Sequence, residues 1–324
     1  MFRKALNITF LIAMVLTALS AKGQTDAQFT QYWAAPNYYC PAVIGNTDNI
    51  HVTLGSRMQW IGITNAPKSF NALADMPFKV GSQRMAVGLN ISQQSMGLYR
   101  TINAAAQIAY KRKMLKGTLS IGLQAGYVNQ TFKGSEVFIP GDDNYHQTGD
   151  DAIPQQDVAG GSIDFAAGLA YNHKYFWLAV AATHINEASI TLKTENSTDD
   201  LYEFKAGRTY YFMGGGNIAL KNTLLELLPS VMFKTDSHYY QAEATARVRY
   251  NKFLSGGVGY RWKDAVSVMI GAEFKGIFLG YSYDYPISKI VKGTSGSHEL
   301  WLGYNVKLKM GDVNKNKHRS IRLM

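Results

Sequence analysis

The stretch GDDNYHQTGDD gathers Asp142, Asp143, Asp150 and Asp151 into one segment, and clustered carboxylates are what a hard cation such as calcium needs. Their spacing is not that of an EF-hand loop, so a solvated acidic loop is the simpler reading. Four of the seven histidines, His146, His184, His238 and His298, fall in or beside expected loops, where a solvated imidazole is the default. Gly214-Gly215-Gly216 reads better as a strand interior approached closely by another element than as a phosphate cradle. The single cysteine, Cys40, suits a small buried apolar position better than a nucleophile's. There is no G-x-S-x-G, no HExxH and no spaced Cys/His set. No catalytic, cofactor-binding or metal-ligating residue is therefore assigned, and no enzyme activity is expected.

What remains is a scaffold, and its first residues say where it goes. Arg3 and Lys4 precede an apolar run from Ile8 to Leu19, then Ala21-Lys22-Gly23 stands before Gln24. This is the three-part pattern of a secretory leader, expected over 1–23. The apolar run is too short to cross a bilayer as a helix. No cysteine follows the leader directly, so a lipid anchor is not expected. An exported chain with one cysteine has no internal disulfide and must gain rigidity from packing and backbone pairing. The net charge is +10, from 33 basic and 23 acidic residues. Without Arg3, Lys4 and Lys22 it is 30 against 23, and part of the excess lies in the tail GDVNKNKHRSIRLM. In an exported protein such an excess points to lipid heads or acidic partners, and no nucleic-acid motif accompanies it.

From His51 onward, period-two runs recur between turn residues, with no competing helical period. About fourteen segments have the length of a tilted membrane strand, near 50–58, 68–77, 84–93, 100–111, 117–128, 161–172, 174–184, 208–219, 223–233, 239–250, 252–262, 265–274, 276–285 and 298–308. In RMAVGLNIS, Met85, Val87, Leu89 and Ile91 oppose Ala86, Gly88, Asn90 and Ser92. A secreted sandwich would alternate too. The strand YYQAEATARVRY goes further, with Glu243, Arg247 and Arg249 on one face against Ala242, Ala244, Ala246 and Val248. A charged inside and an apolar outside predict an all-β chain, a transmembrane antiparallel β-barrel over 50–308. Tyr110, Tyr127, Tyr250, Tyr260, Trp262, Tyr283 and Tyr285 sit where aromatic girdles would be.

Loop lengths give an orientation. The long connections, 129–160, 185–207 and 286–297, follow the fifth, seventh and thirteenth strands. Connections after even strands are short and often basic, as in KRKMLK, NHK and KN. Outer-membrane barrels have long outer loops and short periplasmic turns, so odd connections are expected outside. Residues 24–49 and the tail 309–324 are then expected in the periplasm. On the last two strands Leu279, Tyr281, Tyr283, Leu300, Leu302, Tyr304, Val306 and Leu308 would face lipid. Phe278, Gly280, Ser282, Asp284, Glu299, Trp301, Asn305 and Lys307 would face the lumen. Gly303, Val306 and Leu308 resemble the terminal assembly signal of such barrels, with Trp301 in place of a polar residue.

Three segments carry a family resemblance. QFTQYWAAPNYYCPAVIG is similar to a Q-F-(S/T)-Q-Y segment followed by an N-P-A-like stretch, with Cys40 at the Asn. RMQWIGITNAPKSF matches through Arg57, Trp60, Gly62, Ala66, Pro67 and Lys68. The closing SYD…S…G-S-H-E pattern matches through Tyr283, Asp284, Ser288, Gly296, His298 and Glu299. On these residues the chain resembles the PorP/SprF outer-membrane proteins of Bacteroidetes type IX secretion and gliding motility. The resemblance implies a non-enzymatic barrel that supports export or surface anchoring of proteins. Implied partners are periplasmic ring, motor and peptidoglycan-associated lipoproteins and a secreted surface adhesin, in outer-membrane lipid. It carries over no site residue. The competing expectation is a channel for small or hydrophobic solutes, since about fourteen strands leave room for a lumen or a plug. An outer-membrane hydrolase would need a Ser/His pair at the lipid face, and none is evident.

Overall fold

The structure, a computed structural model, describes residues 26–137, 154, 156–193, 202–221 and 224–308. The expected leader and the tail 309–324 lie outside them. Period-two alternation becomes a ladder of long strands: β1 Asn49–Met58, β2 Lys68–Val80, β3 Gln83–Met96, β4 Tyr99–Met114, β5 Gly117–Phe132, β6 Val158–Asn172 and β7 Phe176–Thr183. A short hairpin follows, β8 Ser189–Leu192 and β9 Tyr202–Lys205. The ladder resumes with β10 Thr209–Gly216, the fragment β11 Ile218–Ala219, β12 Leu225–Thr235, β13 Tyr240–Tyr250, β14 Leu254–Arg261, β15 Ala265–Phe274, β16 Ile277–Pro286 and β17 Ser297–Lys307. β10 pairs with both β7 and β12, and β1 with both β2 and β17, so fourteen antiparallel strands close on themselves. The closing seam runs from Asn49 opposite Lys307 to Met58 opposite His298.

Closure leaves no free edge, and the pleat then separates two solvents. Leu89, Leu123, Ile163, Val231, Val258 and Ile270 point outward and are more than half exposed. Asn90, Gln107, Gln124, Glu243, Arg247, Ser282, Asp284 and Glu299 point inward and are buried. Of the expected girdle, Tyr110 and Tyr250 lie toward the short-turn end, and Tyr260, Trp262 and Tyr285 toward the long-loop end, all exposed on the outer face. The tight turns use residues in left-handed conformation, as at Leu115-Lys116 and Lys275-Gly276, which matches the twist of the flanking strands.

Two segments fill the interior. Residues 24–49 were expected to project into the periplasm, yet their described part packs inside the barrel. It contains one helical turn, α1 Pro36–Tyr39, and a 3-10 turn, Pro41–Val43, each opened by a proline whose fixed φ suits that position. Phe29, Tyr32, Cys40 and Ala42 are fully buried against the wall. The wall makes room with glycine. A Cβ on Gly122 would lie 2.3 Å from Ala42 N, and one on Gly168 would lie 2.6 Å from Cys40 Sγ. The second segment is the loop after β7, a connection of the long-loop end that partly folds inward. Its β8–β9 hairpin packs Ile190 and Leu192 on the inward-facing Val128 and Val158, with Phe132, Tyr202 and Phe204 beside them. β6 outruns its partner here: it pairs with β7 only over Ala167–Asn172, and Ala159 bonds Lys193 instead.

Candidate functional site: the luminal lock

Inward-facing charges on five strands meet near the long-loop end because the registers bring them level. Arg57 on β1 is directly opposite Glu299 on β17, and Glu243 on β13 opposite Arg261 on β14. Arg57 reaches Asp284 at 2.7 Å and Glu299 at 2.9 Å. Arg261 reaches Glu243 at 2.9 Å and Asp284 at 3.2 Å. All five side chains are almost entirely out of solvent.

Into this cluster the N-terminal segment inserts Thr30. Its hydroxyl donates to the Asp284 carboxylate at 2.7 Å and accepts from Arg57 and Arg261, each at 2.9 Å. The backbone N–H groups of Thr30 and Gln31 both donate to Glu299, each at 2.7 Å, as does Trp301 Nε1. Gln28 Nε2 donates to Glu243 at 3.0 Å. Charge-assisted bonds of this kind are the stronger class. Below them Tyr32 donates to Ser230, and Arg247 stacks 3.3 Å above the Trp33 ring.

A second anchor holds Asp26. His184 Nε2 lies 2.9 Å from Asp26 Oδ1, and Nδ1 lies 2.9 Å from Asp164 Oδ1. With a carboxylate at each ring nitrogen, the imidazolium is the form that donates twice. Tyr211 and Thr183 donate to the other Asp26 oxygen, and Lys234 Nζ to its carbonyl. Burial alone would push the His184 pKa down, but the two carboxylates outweigh it and raise it to about 10. Burial likewise opposes ionisation of Asp26, yet His184 and Lys234 hold its carboxyl well below the usual range. Since the folded value lies above the ordinary 6.5, this stabilisation is complete below that value and is lost as pH rises through about 10. Protease sensitivity of the N-terminal segment should stay low through neutral pH and rise toward pH 10. A midpoint near the ordinary histidine value would contradict the arrangement.

At the short-turn end Lys111 Nζ donates to Asn46 Oδ1, Arg84 donates to Thr47 O, and Asp75 accepts from Gly45 N. The segment is thus tied at both ends and in the middle.

His184 is the main correction among the residues singled out by sequence: expected solvated, it is buried between two acids. His238 is an exposed turn residue bonded to Asp236. His298 packs on Tyr281 and Tyr283. Cys40 is fully buried, its thiol near the carbonyls of Leu169 and Val180. The glycine run lies in β10, where a Cβ on Gly215 would meet the Trp177 ring at 2.6 Å. His146, Asp142, Asp143, Asp150 and Asp151 fall outside the described residues. Among the described residues no group of three His, Cys, Asp or Glu could hold a metal.

The three sequence segments singled out above converge at this place. Thr30 and Gln31 come from the first, Arg57 from the second, and Asp284 and Glu299 from the third. Their loops also join: Ile61 N donates to Gly296 O, Ser295 N to Ile61 O, and Trp60 N to Ser297 Oγ. Sequence reasoning named these residues without giving them a common task. The inward face of Asp284 and Glu299 was readable from alternation, the convergence of the five was not.

A family model described as the type IX secretion system membrane protein PorP/SprF matches residues 21–304. No relative is found among curated proteins. Among solved structures the chain is similar to the toluene transporter TodX of Pseudomonas putida, with 12% identity over 88% of this chain and 96% of that one, at a TM-score of 0.46. It is also similar to Omp33, an outer membrane protein of Acinetobacter baumannii, with 6% identity over 80% and 98%, at 0.44. A third is the CymD monoaromatic hydrocarbon channel, with 11% identity over 90% and 96%, at 0.47. The overlap is too loose to carry anything about what those proteins transport.

Proposed function

The chain belongs to the PorP/SprF family of type IX secretion system membrane proteins, and from that premise we propose that it is a closed, non-enzymatic outer-membrane barrel that supports protein export or surface anchoring through its two rims. The observation that carries this reading is the filled lumen. Residues 26–48 occupy it, and a buried network of wall charges holds them there. No nucleophile and base meet in that network, and every charge in it is spent on another protein group. A barrel closed in this way works by what it touches.

The short-turn rim supports an anionic periplasmic partner. Exposed Lys79, Lys113, Lys116, Lys174, Lys221, Lys252 and Lys275 place a cation at or beside every turn of that end. Two of the acids there, Asp48 and Glu226, are paired with Arg84 and Arg249. A rim dominated by one sign steers and selects an oppositely charged surface. On this reading the partners are acidic faces of the periplasmic ring or peptidoglycan-associated components.

Reversing Lys113, Lys116, Lys252 and Lys275 to Glu should lower recovery of those components in crosslinked pull-downs from native membrane by about tenfold, with the barrel still folded. Unchanged recovery would remove the rim from the proposal.

A further inference from the structure

The course of the N-terminal segment can be followed from Asn49 back to Asp26. β1 starts at Asn49, at the short-turn end beside Lys307. Read backward, Asn46 contacts Lys111 and Asn172, which border two of the short turns. Cys40 lies at Gly168 in mid-wall, and Tyr32 at Ser230. Thr30 reaches the ends of β1 and β16 at Arg57 and Asp284, and Asp26 is held by Thr183 and His184 where the long loop after β7 begins. The segment therefore runs the length of the lumen, with Asn46 toward the short-turn mouth and Asp26 toward the long-loop mouth.

From this course we infer that the mature amino terminus is presented at the long-loop mouth of the barrel, on the cell-surface side, and not in the periplasm. Four groups converge on Asp26: His184, Tyr211, Thr183 and Lys234. Asp26 is thereby held as firmly as Thr30 is further inside, so the segment is still anchored where it reaches the long-loop mouth. Gln24, the expected first residue after leader removal, is two residues away, at most about 7 Å of chain.

Two consequences follow. A leader still attached would start beside the long-loop mouth, whereas its basic and apolar parts belong to the inner membrane, so seating requires its removal. Components in the periplasm reach only the residues nearest Asn46, while a partner outside the cell meets the chain's first residues together with the β8–β9 hairpin. The assignment to the cell surface rests on the reading that short turns face the periplasm. The threading does not.

The test uses the full-length protein in intact cells. A short flexible insert carrying one cysteine is placed between Gln24 and Thr25 in a Cys40→Ala background, and labelling by a membrane-impermeant maleimide is compared before and after permeabilisation. Ser237→Cys, on the β12–β13 turn, reports the long-loop end, and Ser82→Cys, on the β2–β3 turn, the other. Heat-modifiable gel migration of the labelled band reports folding.

The expected result is labelling of the insert and of Ser237→Cys in intact cells, at nearly the level reached after permeabilisation, with Ser82→Cys labelled only after it. If the insert behaves like Ser237→Cys but both are protected in intact cells, the threading stands and the orientation is reversed. An insert that follows Ser82→Cys, or stays unlabelled in every condition, overturns the inference.

Discussion

Glu299→Ala is expected to destabilise the folded barrel by about 3–5 kcal/mol and to free the N-terminal segment for proteolysis. The magnitude follows from what converges on that carboxylate. Arg57, the backbone N–H groups of Thr30 and Gln31, and the Trp301 indole all donate to it, in a site without solvent. Removing the acid leaves a buried guanidinium one partner short and strands three neutral donors, each costly when unpaired. Glu299→Gln keeps an acceptor oxygen but not the charge, and a loss nearer about 2 kcal/mol is expected. The pair Arg57→Met with Glu299→Leu removes charge on both sides and should recover part of the loss, because well-packed apolar residues often replace a buried ion pair at little cost. Denaturant unfolding in micelles, with cleavage within 26–48 as the local readout, distinguishes these cases. A loss of under about 1 kcal/mol for Glu299→Ala would mean that the lock holds nothing.

The wall of this protein was open to reading from sequence because its physics is local. Inside-outside alternation is enforced at every residue by two different solvents, so RMAVGLNIS and YYQAEATARVRY declare both a strand and its faces. The segment inside has no such rule. From Asp26 to Asp48 it neither alternates nor repeats, and its partners lie up to 269 positions away, as Thr30 and Glu299 do. Its clearest trace lies on the wall, where Gly122 and Gly168 on the inward face are clearances for Ala42 and Cys40. His184 was misread for a related reason. It follows the last residue of β7, where a loop histidine is ordinarily wet, and nothing nearby in sequence announces Asp26. The β8–β9 hairpin was hidden by brevity, since Ser189–Leu192 is too short to show a period.

Deleting residues 26–45, so that Asn46 follows Thr25 with the leader kept, should convert a closed barrel into an open one. Barrels of eight strands fill their interior with their own side chains, and those of sixteen to eighteen leave an aqueous channel. At fourteen the interior needs filling from elsewhere, and here a stretch of chain and an inward hairpin supply it. The wall should survive the deletion, because Arg57 keeps Asp284 and Glu299, and Arg261 keeps Glu243, without the segment. Its glycines would then line a groove with nothing in it. Solute flux into liposomes carrying the purified variant should rise from the level of empty vesicles, while the intact protein stays at that level. Flux through the intact protein would revive the channel reading for this family member. A deletion variant that migrates as a folded barrel yet stays closed would shift the seal to the β8–β9 hairpin, and removing 187–206 as well should then open it. Either seal leaves the rims as the surfaces available for work, which is why the filled lumen, and not the absence of a catalytic motif, carries the functional argument.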